Sequence, residues 1–210
     1  YYLAVKYIPV SIGIVLLMQT VWMGVLLEWF LDKKAPSAQK IISVIIVLIG
    51  TALAINIFKI DFNDPTIDWS NGLFWGLLAA ASFTTTMFTA NKVALGISSA
   101  QRSLYMLLGG AVIVFGFSLY TQVTPFNFEI FTKWGIVLAL FGTIIPPMLL
   151  NAGFPLTGIG LGSIVSSLEL PVSVMMAYFL LNEQVLLIQW IGIVLIITAI
   201  VIMNIQIKKK

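Results

Sequence analysis

The run "IISVIIVLIGTALAI" at residues 41–55 carries no charge and no alternation of polar and apolar residues. Such a run cannot be a half-solvated strand, and it belongs in a place without water. Seven segments of this kind fill the chain, at about 8–31, 41–58, 72–90, 103–120, 134–154, 159–181 and 185–205. Each is near the roughly 20 residues that a helix needs to cross a hydrocarbon core of about 30 Å. Membrane β-barrels need alternating segments of about ten residues, which these are not. The predicted fold class is therefore all-α integral membrane, a polytopic helix bundle. The links between segments run from three to thirteen residues, too short for a soluble domain. Composition agrees: 60% of the residues are hydrophobic, 9% are charged, and the mean hydropathy is +1.06.

Lysine and arginine set the orientation of such a bundle. With the "IKKK" tail in the cytoplasm, Lys33, Lys34, Lys40, Lys92, Arg102 and Lys208 to Lys210 lie inside, and Lys6, Lys59 and Lys133 lie outside. The expected location is the cell (inner) membrane, multi-pass, with the C-terminus cytoplasmic. The net charge of +3 is then a topology signal, and no nucleic-acid partner is expected.

A shift of 150 residues lays 1–56 on 151–206, as internal repeats in opposite orientation would. Gln19 then falls on Glu169, Val21 on Pro171 and Gln39 on Gln189. Glu169 is the sharpest feature, ten residues in from one end of its segment and twelve from the other. An ionised carboxylate at a helix centre costs about 2.5 to 3.5 kcal/mol on insertion scales, so such groups face a bundle interior or a watery cavity. Ser166 and Ser173 share its face, at the spacing i, i+3, i+7. Pro171 withholds a donor from the carbonyl of Ser167.

Ser82, Thr85 or Thr86, and Thr89 give the third segment a second polar face, and Trp22 offers a stacking wall one turn from Gln19. Asn151 follows a kink at Pro146 and Pro147. The candidate substrate-binding set is thus Glu169, Gln19, Trp22, Ser82, Thr86, Thr89, Asn151, Ser166 and Ser173. Glu28, beside Trp29, reads as an interfacial anchor, and Gly72, Gly76, Gly109, Gly110 and Gly116 as points of close helix approach. The "GIGLG" of Gly158 to Gly162 lacks the lysine and strand of a nucleotide loop, so no phosphate site is expected there.

The stretch "SSLELPVSVMMAYFLLNEQVLLIQWIGIVLIITAIVIM" resembles the C-terminal helix pair of EamA-type carriers in the drug/metabolite transporter superfamily, with "LELPV" followed by "LLNEQ" its most distinctive part. The "YIPVSIGIVLLMQTVWMGVLLEWFLDKK" at the start resembles the matching pair of that family's first half. Asn182 stands where the family usually has glycine, and Val21 and Lys33 replace a proline and a glutamate of the first repeat. The resemblance implies ten helices in two inverted five-helix repeats with both termini cytoplasmic. On that plan residues 1–58 are the remainder of the first repeat (end of helix three, helices four and five), 72–206 are the second repeat (helices six to ten), and 207–210 are a basic tail. The chain then begins within helix three, with most of the first three helices upstream.

The expected function is secondary transport, as an exporter of small organic metabolites such as amino acids or drugs, by alternating access around a mid-membrane cavity. The expected partners are a small-molecule substrate and the lipid bilayer; proton coupling and a homodimeric state are compatible with the pattern. No cofactor and no metal are expected. A multi-span membrane enzyme is the first alternative, but the chain has no histidine and no cysteine and offers no convergent acid and base. A seven-helix receptor is the second. A retinal protein is excluded by the lack of a lysine in "VLLIQWIGIVLIITAIVIMNI".

Overall fold

The computed structural model describes residues 1–33, 35–62, 64–121, 128–132, 134–182 and 184–204, without the side chains of 130, 132 and 181. Lys34, Lys133, the Glu183 of "LLNEQ" and the basic tail 207–210 lie outside the described residues. The described chain is helical throughout and holds no strand. Six helices are long and apolar enough to cross a membrane: Val10–Asp32, Trp69–Lys92, Ser99–Thr121, Gly135–Thr157, Ile159–Leu180 and Leu187–Asn204. Ala38–Ala54 is a shorter apolar helix of 17 residues. All seven predicted segments are therefore helices, and the polytopic all-α reading is borne out.

Two compact units divide the chain, Tyr1–Phe88 with Thr157–Lys210, and Thr89–Leu156. In the first unit, the opening span is two helices, α1 (Val10–Leu17) and α2 (Thr20–Asp32), followed by α3 (Ala38–Ala54). Ser37 caps α3 by accepting a hydrogen bond from the Lys40 N–H at 3.2 Å. Next comes α4 (Trp69–Lys92), capped by Asp68, whose carboxylate accepts from the Asn71 N–H at 3.1 Å and from its side-chain amide at 2.7 Å. Those bonds hold the exposed Asp68 carboxyl below the usual carboxylate range, and the Thr66 hydroxyl and N–H do the same for Asp64.

The second unit holds α5 (Ser99–Thr121), two short turns α6 (Glu129–Thr132) and α7 (Gly135–Leu138), a π-helical stretch Ala139–Ile144, and α8 (Ile145–Thr157). The π-helical stretch lies just before Pro146 and Pro147, where the sequence places a kink. The first unit resumes with α9 (Ile159–Ser166), α10 (Glu169–Leu181) and α11 (Leu187–Asn204).

The internal repeat is visible bond for bond. In the first span Gln19 N–H donates to Leu16 O at 3.1 Å and Val21 N–H to Met18 O at 3.1 Å, a tight turn that separates α1 from α2. The same two bonds recur 149 residues on, from Leu168 to Val165 O at 3.0 Å and from Leu170 to Ser167 O at 3.3 Å. The left-handed residues that end α2 and α10, Lys33 (φ 52) and Asn182 (φ 53), keep the same spacing. The register of the helix breaks is therefore 149, one less than the shift read from the sequence. Glu169 corresponds to Thr20, and Gln19 to Leu168.

The two repeats meet through α3 and α11. Ser43, Val47, Gly50 and Ala54 form a narrow stripe on α3, all buried, that packs on Gly192, Ile196 and Ala199 of α11. A side chain at Gly50 would meet Gly192 O and Ile196 Cγ1, each at 2.9 Å, so the two backbones approach as closely as small residues allow. Ser43 Oγ adds a bond to Ala199 O at 3.1 Å. Gln39, at the start of α3, donates to Ile202 O near the end of α11, and Gln189, at the start of α11, donates to Ala54 O at 3.0 Å. The helices thus run antiparallel, each tied near its start to the far end of the other.

Glycine behaves differently in the two units. Gly72 and Gly76 pack on Ile8 and Leu16, as predicted, whereas Gly109, Gly110 and Gly116 have nothing within 4 Å of a built side chain among the described residues. The expected close approach at these three is therefore not seen.

Candidate functional site

Four residues of α4, Trp75, Ala79, Ser82 and Thr86, recur at the spacing of one helical face, and that face lines a cavity of about 510 Å³. Leu17 at the end of α1 and Glu169 at the start of α10 supply the opposing wall, with Tyr1, Leu3, Leu78 and Phe83 completing it. The broken helices account for the meeting of two distant stretches of sequence in one place. Each tight turn ends one helix and starts another at mid-span, so Leu17 and Glu169 both stand at helix ends beside a break.

The wall is apolar and aromatic, with the hydroxyls of Tyr1, Ser82 and Thr86 and the carboxylate of Glu169 upon it. Thr86 donates to Ser82 O at 3.2 Å, so its hydroxyl hydrogen is directed back into α4. Glu169 is exposed, it is the one carboxylate among the lining residues, and no lysine or arginine lines the cavity with it. The Ser167 carbonyl that Pro171 was expected to leave open is taken instead by the Leu170 N–H, through the tight turn.

Of the nine predicted site residues, the structure brings Glu169, Ser82 and Thr86 together. Gln19 and Trp22 are occupied with each other. Gln19 Nε2 donates to Val15 O at 2.9 Å, making good the helix bond that its own N–H gives up at the break, and its Oε1 accepts from the Trp22 indole at 2.7 Å. Trp22 lines a separate groove of about 340 Å³ with Leu26, Ala81 and Thr85. Ser166 donates to Gly162 O at 2.9 Å within its helix, and Ser173 is exposed on α10 away from the cavity lining.

Thr89 and Asn151 belong to the second unit, where both border a small pocket of about 130 Å³ beside Arg102. Asn151 is 1% exposed and donates to Ser103 Oγ at 2.9 Å, a packing role. Arg102, expected in a cytoplasmic loop, is 7% exposed in the first turn of α5. Its guanidinium donates to Ala90 O at 2.8 Å, near the end of α4, and to Asn151 O. That second carbonyl needs an outside donor, because Pro155, four residues on, has no N–H to give it. Asn91 ties the same two helices by donating to Phe154 O.

Leu17, Trp75 and Phe83 line the cavity although nothing in the sequence marks them singly as site residues. The spacing from Trp75 through Ala79 and Ser82 to Thr86 is the available signal, hidden because Trp75 also suits an interface position.

No curated protein matches the chain. The model of the EamA-like transporter family matches residues 70–205, from the first turn of α4 through the end of α11, and so takes in both Glu169 and the α4 face of the cavity. Members of that family are membrane transporters of the drug/metabolite superfamily. With well over half of its residues matched, this multi-pass membrane protein belongs to the EamA-like transporter family.

Proposed function

We propose that the chain is a secondary carrier that exports small organic solutes by alternating access, with the cavity at Glu169 as the substrate site. The observation that carries this reading is one carboxylate facing an aromatic and apolar wall with no lysine or arginine on it. A fixed negative charge in low dielectric attracts a cation far more strongly than it would in water, and the flat faces of Trp75 and Phe83 suit an apolar or aromatic body. The solutes that fit best carry one cationic group on a compact apolar frame, as amine-bearing metabolites and drugs do. Reconstituted protein is expected to give saturable uptake of such amines in a proteoliposome screen, run with and without a pH gradient. Uptake no greater than in protein-free liposomes across the screen would count against the carrier reading.

The orientation follows the cation bias, with Lys33, Lys92 and the C-terminus cytoplasmic, Asp64 and Glu129 outside, and the protein in the inner membrane. Single cysteines check it cleanly because the chain has none of its own. Asp64→Cys should react with a membrane-impermeant maleimide on intact cells and Lys92→Cys only after lysis; the reverse pattern would invert the topology.

A further inference from the structure

The repeat makes α2 and α10 symmetry mates, and likewise α9 and α1, yet the two cross-pairs differ. α2 packs tightly on α9, whereas α10 and α1 make no comparable packing among the described residues. A side chain at Gly24 would lie 2.7 Å from Ser163 Cβ, and Ser163 Oγ donates to Val21 O at 3.2 Å. At the far end of this contact the Glu28 carboxylate, from α2, pairs with Lys40 of α3 and lies over the first turn of α9. Two glycines make room for it. A side chain at Gly158, whose φ is +80, would stand 3.1 Å from Glu28 Oε1, and one at Gly160 would stand 3.1 Å from Glu28 Cδ and 3.2 Å from Lys40 Nζ. A carboxylate at that place faces the positive end of α9, so Glu28 is held both by the ammonium and by the helix.

We propose that Glu28, Lys40 and the Gly158–Gly160 turn form a latch that holds one end of the transport pathway shut; this rests on the carrier reading above. The symmetry mates of these four positions are Ala177, Gln189, Pro9 and Ser11, so the opposite end has no such pair and no such glycines. The cavity at Glu169, lined by residues of α1 and α10, belongs to the unlatched pair of helices. The pair is also suited to opening. Its side chains are 21% and 20% exposed, and an ion pair that has given up much of its hydration contributes little net energy, because separation returns that hydration. Glu28 is therefore a closing contact and not the interfacial anchor expected from its place beside Trp29.

Val21→Cys, buried at 0% exposure on the α2 face against α9, reports the state of the latch through its reaction with N-ethylmaleimide in reconstituted vesicles. Labelling is expected to be slow in the otherwise native chain and at least tenfold faster with Lys40→Met, Glu28→Gln or Gly160→Leu, the last of which displaces the carboxylate without altering any charge. Lys40→Arg keeps the pair and should label at the native rate. Ala199→Cys, buried at 0% exposure between α3 and α11, serves as the control. Unchanged labelling at position 21, or an equal rise at position 199, would overturn the latch, the second by showing general loosening. Labelling needs no transported solute, so the latch and the carrier reading can fail separately.

Discussion

Gly192→Val is expected to separate α3 from α11 and to lower the stability of the protein in detergent by about 3 kcal/mol, the upper part of the range for overpacked interiors. A side chain at 192 would lie 2.8 Å from Ala54 Cα and 2.5 Å from Gly50 O, and both are backbone atoms that cannot turn aside. Within a bilayer the helices have no hydrophobic drive to hold them together, because lipid tails are as apolar as the side chains. Packing and the bonds of Ser43, Gln39 and Gln189 carry the contact, and all of these depend on the close approach. Gly109→Val is the matched control, since nothing among the described residues stands within 4 Å of a side chain there. Thermal unfolding should fall sharply for the first variant and hardly move for the second. Equal shifts would mean that the α3–α11 contact is not what holds the repeats together.

Arg102→Met should be nearly as damaging, at about 3 kcal/mol, because it leaves the Ala90 and Asn151 carbonyls buried without their donor and unsatisfied buried groups cost about 1 to 3 kcal/mol each. The role of Pro155 gives this prediction a second edge. Pro155→Ala restores an N–H that can bond Asn151 O within α8, so adding it to Arg102→Met should recover about 1 kcal/mol. Added to the native chain it should change little, since Arg102 already serves that carbonyl. A double-mutant cycle by thermal unfolding measures the coupling, and simple additivity would show that Arg102 does not stand in for the missing helix bond.

The seven helices were legible because the absence of water leaves a long, unbroken signature, as "IISVIIVLIGTALAI" shows. Glu169 was legible for the same reason, since a carboxylate at mid-span is costly unless it faces a bundle interior or a cavity. Gln19 and Trp22 looked equally suited to a guest, but their hydrogen bonds are spent on each other and on a helix break that no residue spacing announces. Arg102 read as a loop charge because it begins a segment. Only the fold shows that the backbone carbonyls of Ala90, near the end of α4, and Asn151, left open by Pro155, can shelter a guanidinium in place of a carboxylate partner. The glycines divide likewise. Spacing alone treats Gly76 and Gly110 as equals, while one rests on Leu16 and the other faces open space among the described residues.

The central claim is that Glu169 in the α1–α4–α10 cavity binds the transported solute. Solute counterflow into proteoliposomes, using an amine identified by the uptake screen, compares native protein with Glu169→Gln at several pH values. Glutamine keeps the shape and hydrogen-bonding capacity but cannot carry the charge, so half-saturation should rise at least tenfold, or about 1.4 kcal/mol of binding. If the carboxylate also carries a coupling proton, the pH dependence of uphill uptake should vanish while exchange persists. A Glu169→Gln protein with native half-saturation, rate and pH profile would contradict the account and leave Glu169 as a packed residue.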